Sequence, residues 1–393
     1  MIKRIIMRFS KLTEGLQMNI FNVLDEKRQK RIADGGEVYN MFVGTPDLEP
    51  PEHVVAAVRE KAEDPGSYKY TLGDIPELTE AVIAWYERRF GVSLEKDEVT
   101  SVNGTQEGIG HISLAMCDKG DKVMVPDPGY PIFSFGALMA GSELVRIPMK
   151  EENGYIIDFD AISPSVAHDT KLMIVSYPSN PVAALAQQDF YDRLVSFAKR
   201  YDIMVVHDNA YCELVYDGRE GTSFLKSKGA KDVGIEFNSL SKSYNMTGMR
   251  VSFALGNRDM IARFRSLRSQ IDYGMYLPLQ YGAIAAITGP QDILDSNRAA
   301  YQRRRDALCD GFDAAGWHIR RPEGTMFAWA RIPESYDDSF KFVYDLIDRT
   351  GLICTPGSAF GPEGEGYVRF ALVLPEAKIK EMIRAVDDSG ILR

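Results

Sequence analysis

Cysteine is scarce in this sequence. The four present are Cys117, Cys212, Cys309 and Cys354, and the nearest two are 45 positions apart. No Cys-x-x-Cys pair therefore exists to hold zinc or to act as a redox couple, and a reduced, cytoplasmic setting is expected. Long apolar runs are missing too. None approaches the roughly 20 residues of a membrane helix. The Ile5-Ile6 run behind Lys3 and Arg4 is too short for a signal-peptide core. Positive charge is in deficit, with 46 Lys and Arg against 56 Asp and Glu for a net −10, the wrong sign for a protein whose partner is a phosphate backbone. What is present is an ordinary globular composition, 45% apolar and 26% charged over 393 residues, enough for two or three domains with extensive cores.

Short apolar, β-branched runs alternate with helical patterns through the middle of the chain. Residues 99–102, 122–125, 171–175, 203–206 and 234–237 read as buried strands of a parallel sheet. Phe190, Leu194, Phe197 and Ala198 follow helical spacing between two of them, which makes a βαβ unit. Helices are also expected at 51–63, with Pro51 in the first turn, and at 76–90. From about residue 291 the texture changes to a long charged helix, short strands near 327–331 and 368–372, and two closing helices. The expected fold class is therefore α/β, with a second, smaller domain beginning near residue 290. No linker rich in Pro, Gly or Ser separates them, and no internal repeat occurs.

Each expected strand runs into a cluster of small and polar residues: Asn103-Gly104-Thr105-Gln106, Asp127-Pro128-Gly129-Tyr130, Tyr177-Pro178-Ser179-Asn180, His207-Asp208-Asn209-Ala210-Tyr211, and Asn238-Ser239-Leu240-Ser241-Lys242. Ligands of open α/β sheets bind beyond the carboxyl ends of the strands, so these clusters should line one crevice. An anion fits the helix amino-terminus at Thr105 and Gln106, with Ser239, Ser241 and Arg250 as further donors. No GxxxxGK[ST] occurs, and Gly104-x-x-x-Gly108-x-Gly110 departs from the dinucleotide fingerprint, so the ligand is a different phosphate compound.

The string Ser239-Leu240-Ser241-Lys242-Ser243-Tyr244-Asn245-Met246-Thr247-Gly248-Met249-Arg250 resembles the lysine region of class I/II aminotransferases, the fold-type I enzymes that use pyridoxal 5′-phosphate. Asn180-Pro181, Asp208 with Tyr211, Pro356-Gly357-Ser358-Ala359-Phe360-Gly361 and Val368-Arg369-Phe370 match the family in the same order, and the branch holding LL-diaminopimelate, aspartate and alanine aminotransferases looks most similar. The resemblance implies a large domain over 46–289, with a mostly parallel seven-stranded sheet between helices, and a smaller α+β domain from both chain ends, 1–45 and 290–393. It implies a covalent aldimine between the cofactor and Lys242, which later moves a proton at the substrate α-carbon. Asp208 would pair with the pyridinium nitrogen, Tyr211 and Asn180 would bind the ring oxygen, and Tyr130 would stack on the ring. Gly104, Thr105, Gln106, Ser239, Ser241 and Arg250 would surround the phosphate. Arg369 would clamp the substrate α-carboxylate, and Gly44 would let backbone approach the substrate. A tyrosine from a second subunit, Tyr68 or Tyr70, would complete the phosphate site, so a homodimer is implied.

The reaction so implied exchanges an amino group between an L-amino acid and a 2-oxo acid, with glutamate and 2-oxoglutarate as the shared pair. A C–S β-lyase would use the same Lys242, Asp208 and Arg369, and a cofactor-binding regulator is a third reading. Two departures from the family stand out: Val182-Ala183 follows Asn180-Pro181 where Thr-Gly is common, and Val251-Ser252 follows Arg250 where x-Gly is common. Arg263, Arg265 and Arg268 are candidates for a distal carboxylate. His111 and His207 lack a second ligand at metal spacing and are read as structural. Arg298–Arg305 is expected to be a solvated helix face.

Overall fold

The computed structural model describes residues 9–14 and 20–393. The Ile5-Ile6 run and its basic flank lie outside the described residues. Seven strands form the central sheet: β1 (Val99–Val102), β2 (Lys122–Asp127), β3 (Glu143–Pro148), β4 (Thr170–Ser176), β5 (Met204–Asp208), β6 (Gly234–Ser239) and β7 (Ser252–Gly256). Their order across the sheet is β1-β7-β6-β5-β4-β2-β3. β2 through β6 pair in parallel, and β7 alone is inverted, antiparallel to both β1 and β6.

Period-2 alternation explains why this sheet is a middle layer. Val123, Val125, Leu172, Ile174, Val206 and Phe237 pack on one face. Met124, Met173, Val175 and Val205 pack on the other with the helix Pro76–Phe90 and the crossover helix Gln188–Tyr201. Strands buried on both faces are rich in apolar residues, and those were the runs visible in the sequence. The helix Pro76–Phe90 begins on a proline that needs no intrahelical partner and ends on Gly91 at φ 66°, a left-handed position that glycine takes without strain. Helix Glu52–Ala62 likewise starts directly after Pro51.

A second core gathers around a three-stranded antiparallel sheet of β8 (Phe327–Arg331), β9 (Thr355–Pro356) and β10 (Tyr367–Ala371), with β10 in the centre. Leu24, Tyr39, Met41 and Phe42 join it from the amino-terminal part. Residues of the helices Asp292–Ala314, Ser339–Thr350 and Glu376–Asp388 complete it.

One expectation fails on this part of the molecule. Arg298–Arg305 is not a solvated face along its length, because Arg304 and Arg305 are buried. Arg304 forks onto Asp47 and Arg305 onto Asp217. A guanidinium leaves water when a planar carboxylate meets both of its terminal nitrogens. No helix among the described residues is long and apolar enough to cross a membrane.

Candidate active site

The carboxyl ends of β1, β5 and β6 open into a cavity of about 540 Å³ that the second core closes with Phe327 and Arg369. Of the residues singled out from the sequence, Gly44, Thr105, Gln106, Tyr130, Asn180, Asp208, Tyr211, Ser239, Ser241, Lys242, Arg250 and Arg369 all line it. They come from seven separate segments, and strand order brings them together.

Lys242 sits in the short helix Leu240–Ser243 directly after β6. Its Nζ donates to the Gly44 carbonyl oxygen. Burial lowers its pKa to about 8, and the charges of Arg369 and Arg250 push the same way. Asp208 ends β5, and burial raises its pKa to about 6 against the opposing pull of His207. Among the described residues, no Lys or Arg nitrogen forms an ion pair with it. Arg369, 1% exposed, projects from β10. It donates to Asn180 Oδ1 at 2.8 Å and to the Phe42 carbonyl at 2.8 Å, and its guanidinium lies 4.0 Å from the Phe327 ring centroid. Its Nε has no hydrogen-bond partner among the described residues, and burial lowers its pKa to about 10. A buried cation held only by neutral groups costs free energy until an anion meets it.

The far end of the cavity is built for an anion. Thr105 and Gln106 open the twelve-residue helix Thr105–Met116, whose amino-terminus faces this space. Gly104, the residue before it, has φ 92°, and a Cβ there would lie 1.9 Å from Arg250 Nη2. Only glycine lets the Arg250 guanidinium lie across this turn. Ser239 Oγ accepts from the Ser241 amide at 3.1 Å and from the Ser252 hydroxyl at 2.8 Å. Tyr130 donates its hydroxyl to Gln106 Oε1 at 2.9 Å.

The remaining residues singled out from the sequence lie outside the cavity lining. Tyr68 and Tyr70 do not line this cavity; they are 68% and 82% exposed and pack on Tyr276 and Tyr273 at the surface. Arg265 and Arg268 line a separate pocket with Asp74 and Asp272, Arg263 is exposed, and none of the three reaches the cavity. His207 is buried against Glu236, Nδ1 to Oε2 at 2.9 Å, and His111 pairs with Glu107. Val182 and Ala183, where the loop departs from the family, are buried core residues outside the cavity lining. Ala183 takes a left-handed φ of 57°, a conformation glycine adopts without penalty. The cavity also contains Val43, Thr45, Ala210, Thr247, Gly248 and Phe327, which carried no signal of their own in the sequence.

The donor set fits pyridoxal 5′-phosphate. The helix amino-terminus with two serines and an arginine matches a phosphate, the buried, cation-free Asp208 matches a protonated ring nitrogen, and the low-pKa Lys242 matches an aldehyde. Such a site on an α/β sheet defines a cofactor-dependent group-transfer enzyme. Residues 37–386 match the family model described as aminotransferase class I and II. Among curated relatives, the LL-diaminopimelate aminotransferase of Dehalococcoides mccartyi (strain 195) is 41% identical over 379 residues, covering 96% of this chain and 97% of its own. That of Moorella thermoacetica is 42% identical over 361 residues, covering 90% and 92%. Among solved structures, BacF of Bacillus subtilis superposes with a TM-score of 0.94 at 33% identity, covering 98% of each chain. The chain belongs to the class I and II aminotransferases and is a pyridoxal-phosphate-dependent enzyme of the transferase class.

Proposed function

We propose that Lys242 holds the cofactor in this cavity and that the enzyme moves an amino group between L-glutamate, as the shared donor, and a 2-oxo acid. Of the co-substrates considered, LL-diaminopimelate is favoured over aspartate and alanine by the names of the relatives. The observation that carries the reading is Lys242, a buried amine with a pKa of about 8, lining one cavity with the buried Asp208 and Arg369, neither of which has an ion-pair partner among the described residues.

When bound, the cofactor supplies an electrophilic aldehyde and a ring that draws electrons from the substrate α-carbon. With its pKa near 8, Lys242 keeps a neutral fraction near neutral pH, so Nζ can act as a nucleophile and then take and return the α-proton. Asp208 holds the ring nitrogen protonated. Asn180 spends its amide oxygen on Arg369, which leaves its NH₂ free to donate to the ring oxygen beside the Tyr211 hydroxyl. Burial pushes the pKa of Tyr211 up, so that hydroxyl stays protonated. Tyr130 would stack on the ring, and Thr105, Gln106, Ser239, Ser241 and Arg250, at the turn made by Gly104, would hold the phosphate. Arg369 orients the substrate α-carboxylate, and the Cβ-free Gly44 brings its carbonyl close to the amino group.

Tyr68 or Tyr70 reaches the phosphate from a second subunit, a reading supported by their exposure beyond their own chain's cavity. The working enzyme is then a cytoplasmic homodimer, each chain divided into a large domain over 46–289 and a small one over 1–45 and 290–393. The test is the visible absorbance of the chain loaded with pyridoxal phosphate, during separate additions of L-glutamate, LL-diaminopimelate, L-aspartate and L-alanine. L-glutamate and LL-diaminopimelate should bleach the band and 2-oxoglutarate should restore it. A band indifferent to all four overturns the substrate reading, and pyruvate and ammonia released from cystathionine without any 2-oxo acid would favour the lyase.

A further inference from the structure

The segment Val43–Asp47 reaches the cavity as irregular backbone, with Val43, Gly44 and Thr45 in its lining. Arg369, Lys242 and Arg304 hold it, Thr355 Oγ1 donates to the Phe42 carbonyl at 3.1 Å at its start, and Asn245 Nδ2 donates to the Glu49 carbonyl at 3.0 Å just beyond it. Arg369 donates to the Phe42 carbonyl at 2.8 Å, Lys242 donates to the Gly44 carbonyl, and Arg304 forks onto the Asp47 carboxylate at 2.6 and 2.8 Å. The first two donors are groups that the proposed function engages in the reaction, so they are not constant supports for the strap. Arg304 is set apart from the cavity, on the helix Asp292–Ala314. Its Nη1 also donates at 3.0 Å to the carbonyl of Leu372, the residue that follows β10 and its Arg369. One guanidinium therefore joins the strap that carries Gly44 to the strand that carries Arg369. Its side chain is 8% exposed and that of Asp47 33%, so solvent screens the pair only in part.

We infer that Arg304 is a positioning residue, which through Asp47 sets the Gly44 strap against Arg369 and thereby governs the fit of the amino-acid substrate. The inference rests on the reading that an amino acid binds beside Arg369. A contact that supports substrate equally in the ground and transition states, once lost, raises KM and leaves kcat unchanged.

Arg304→Lys keeps the cation and removes the fork. With the loaded enzyme, KM for the amino donor should rise about tenfold, while kcat and cofactor affinity each stay within about twofold. Hydrogen exchange over residues 41–49 should quicken, with the β5 and β6 peptides unchanged. Asp47→Asn should do the same, and the double variant should be no worse than either single one, since both remove one contact. An unchanged KM in folded variants overturns the inference. So does a KM increase that comes with an equal loss of cofactor affinity and thermal stability, which is the mark of a merely structural contact. If Arg304→Lys does not fold, Asp47→Asn decides. If the wild-type chain shows no cofactor band, the functional reading has failed, and quickened exchange confined to 41–49 still decides whether Arg304 sets the strap.

Discussion

Lys242, Asp208 and Arg369 are three charges taken out of water without an opposite charge beside them, and that cost is the signature of a site waiting for its ligand. The linkage follows from the shifts. Asp208 is raised from 3.8 to about 6, so it destabilises the apo chain above that pH, and the penalty fades as pH falls toward 4. Lys242 is lowered from 10.5 to about 8, so its penalty is full below 8 and fades as pH rises toward 10.5. Asp208→Asn and Lys242→Met should therefore each stabilise the apo chain at pH 7 by about 2 kcal/mol, measured by denaturant melts, while lowering transamination by orders of magnitude. A destabilised apo chain would show that the charges are satisfied where they stand. At this scale Lys242 and Asp208 stood out by their place after apolar strands, whereas the roles of Arg369, Asn180 and Tyr130 were implied by the family resemblance. Burial of Arg304 and Arg305 was not legible, since their neutralising partners Asp47 and Asp217 lie 257 and 88 positions away and a charged helix run looks solvated from its own residues alone.

Elements follow the same division between local and distant causes. Five strands were visible as apolar runs, although β2, β5 and β6 each extend two residues further, to the polar Asp127, Asp208 and Ser239. β3 was not visible residue by residue, because it is an edge strand carrying exposed Glu143 and Arg146 and lacks the apolar run of its neighbours. β7 was hidden for another reason: its Ser-Phe-Ala-Leu-Gly is short, and its inverted direction depends on pairing with β1 and β6. The turn between β1 and its helix was legible as a glycine turn, and the structure adds why glycine is needed. Gly104→Ala should displace Arg250, cost about 1–2 kcal/mol through the positive φ, and weaken cofactor binding by at least about tenfold in a fluorescence titration. Unchanged affinity would remove Arg250 from the phosphate site.

The whole molecule gathers residues from both cores around one cavity, and the proposed function has Tyr68 or Tyr70 complete each site from a second subunit. Mixing tests this reading. A Lys242→Ala chain and a chain with both Tyr68→Phe and Tyr70→Phe should each be impaired alone. Unfolded and refolded together at equal amounts, they should recover about a quarter of wild-type activity, because half of the dimers would be mixed, each with one intact site. No recovery above the sum of the two parents would mean that each chain works alone. The folding class and the order of the site motifs were readable along the chain. The closure of the cavity by Phe327, and its strap anchored by Arg304, depend on packing between the two cores and were not.

Lys242 as the cofactor-binding residue is tested by borohydride reduction of the loaded enzyme followed by proteolysis and peptide mass analysis. One modified peptide containing residues 240–243 is expected, with the cofactor fixed on Lys242 and no label in the Lys242→Ala chain. A label on another lysine, or full retention of label after that substitution, would contradict it.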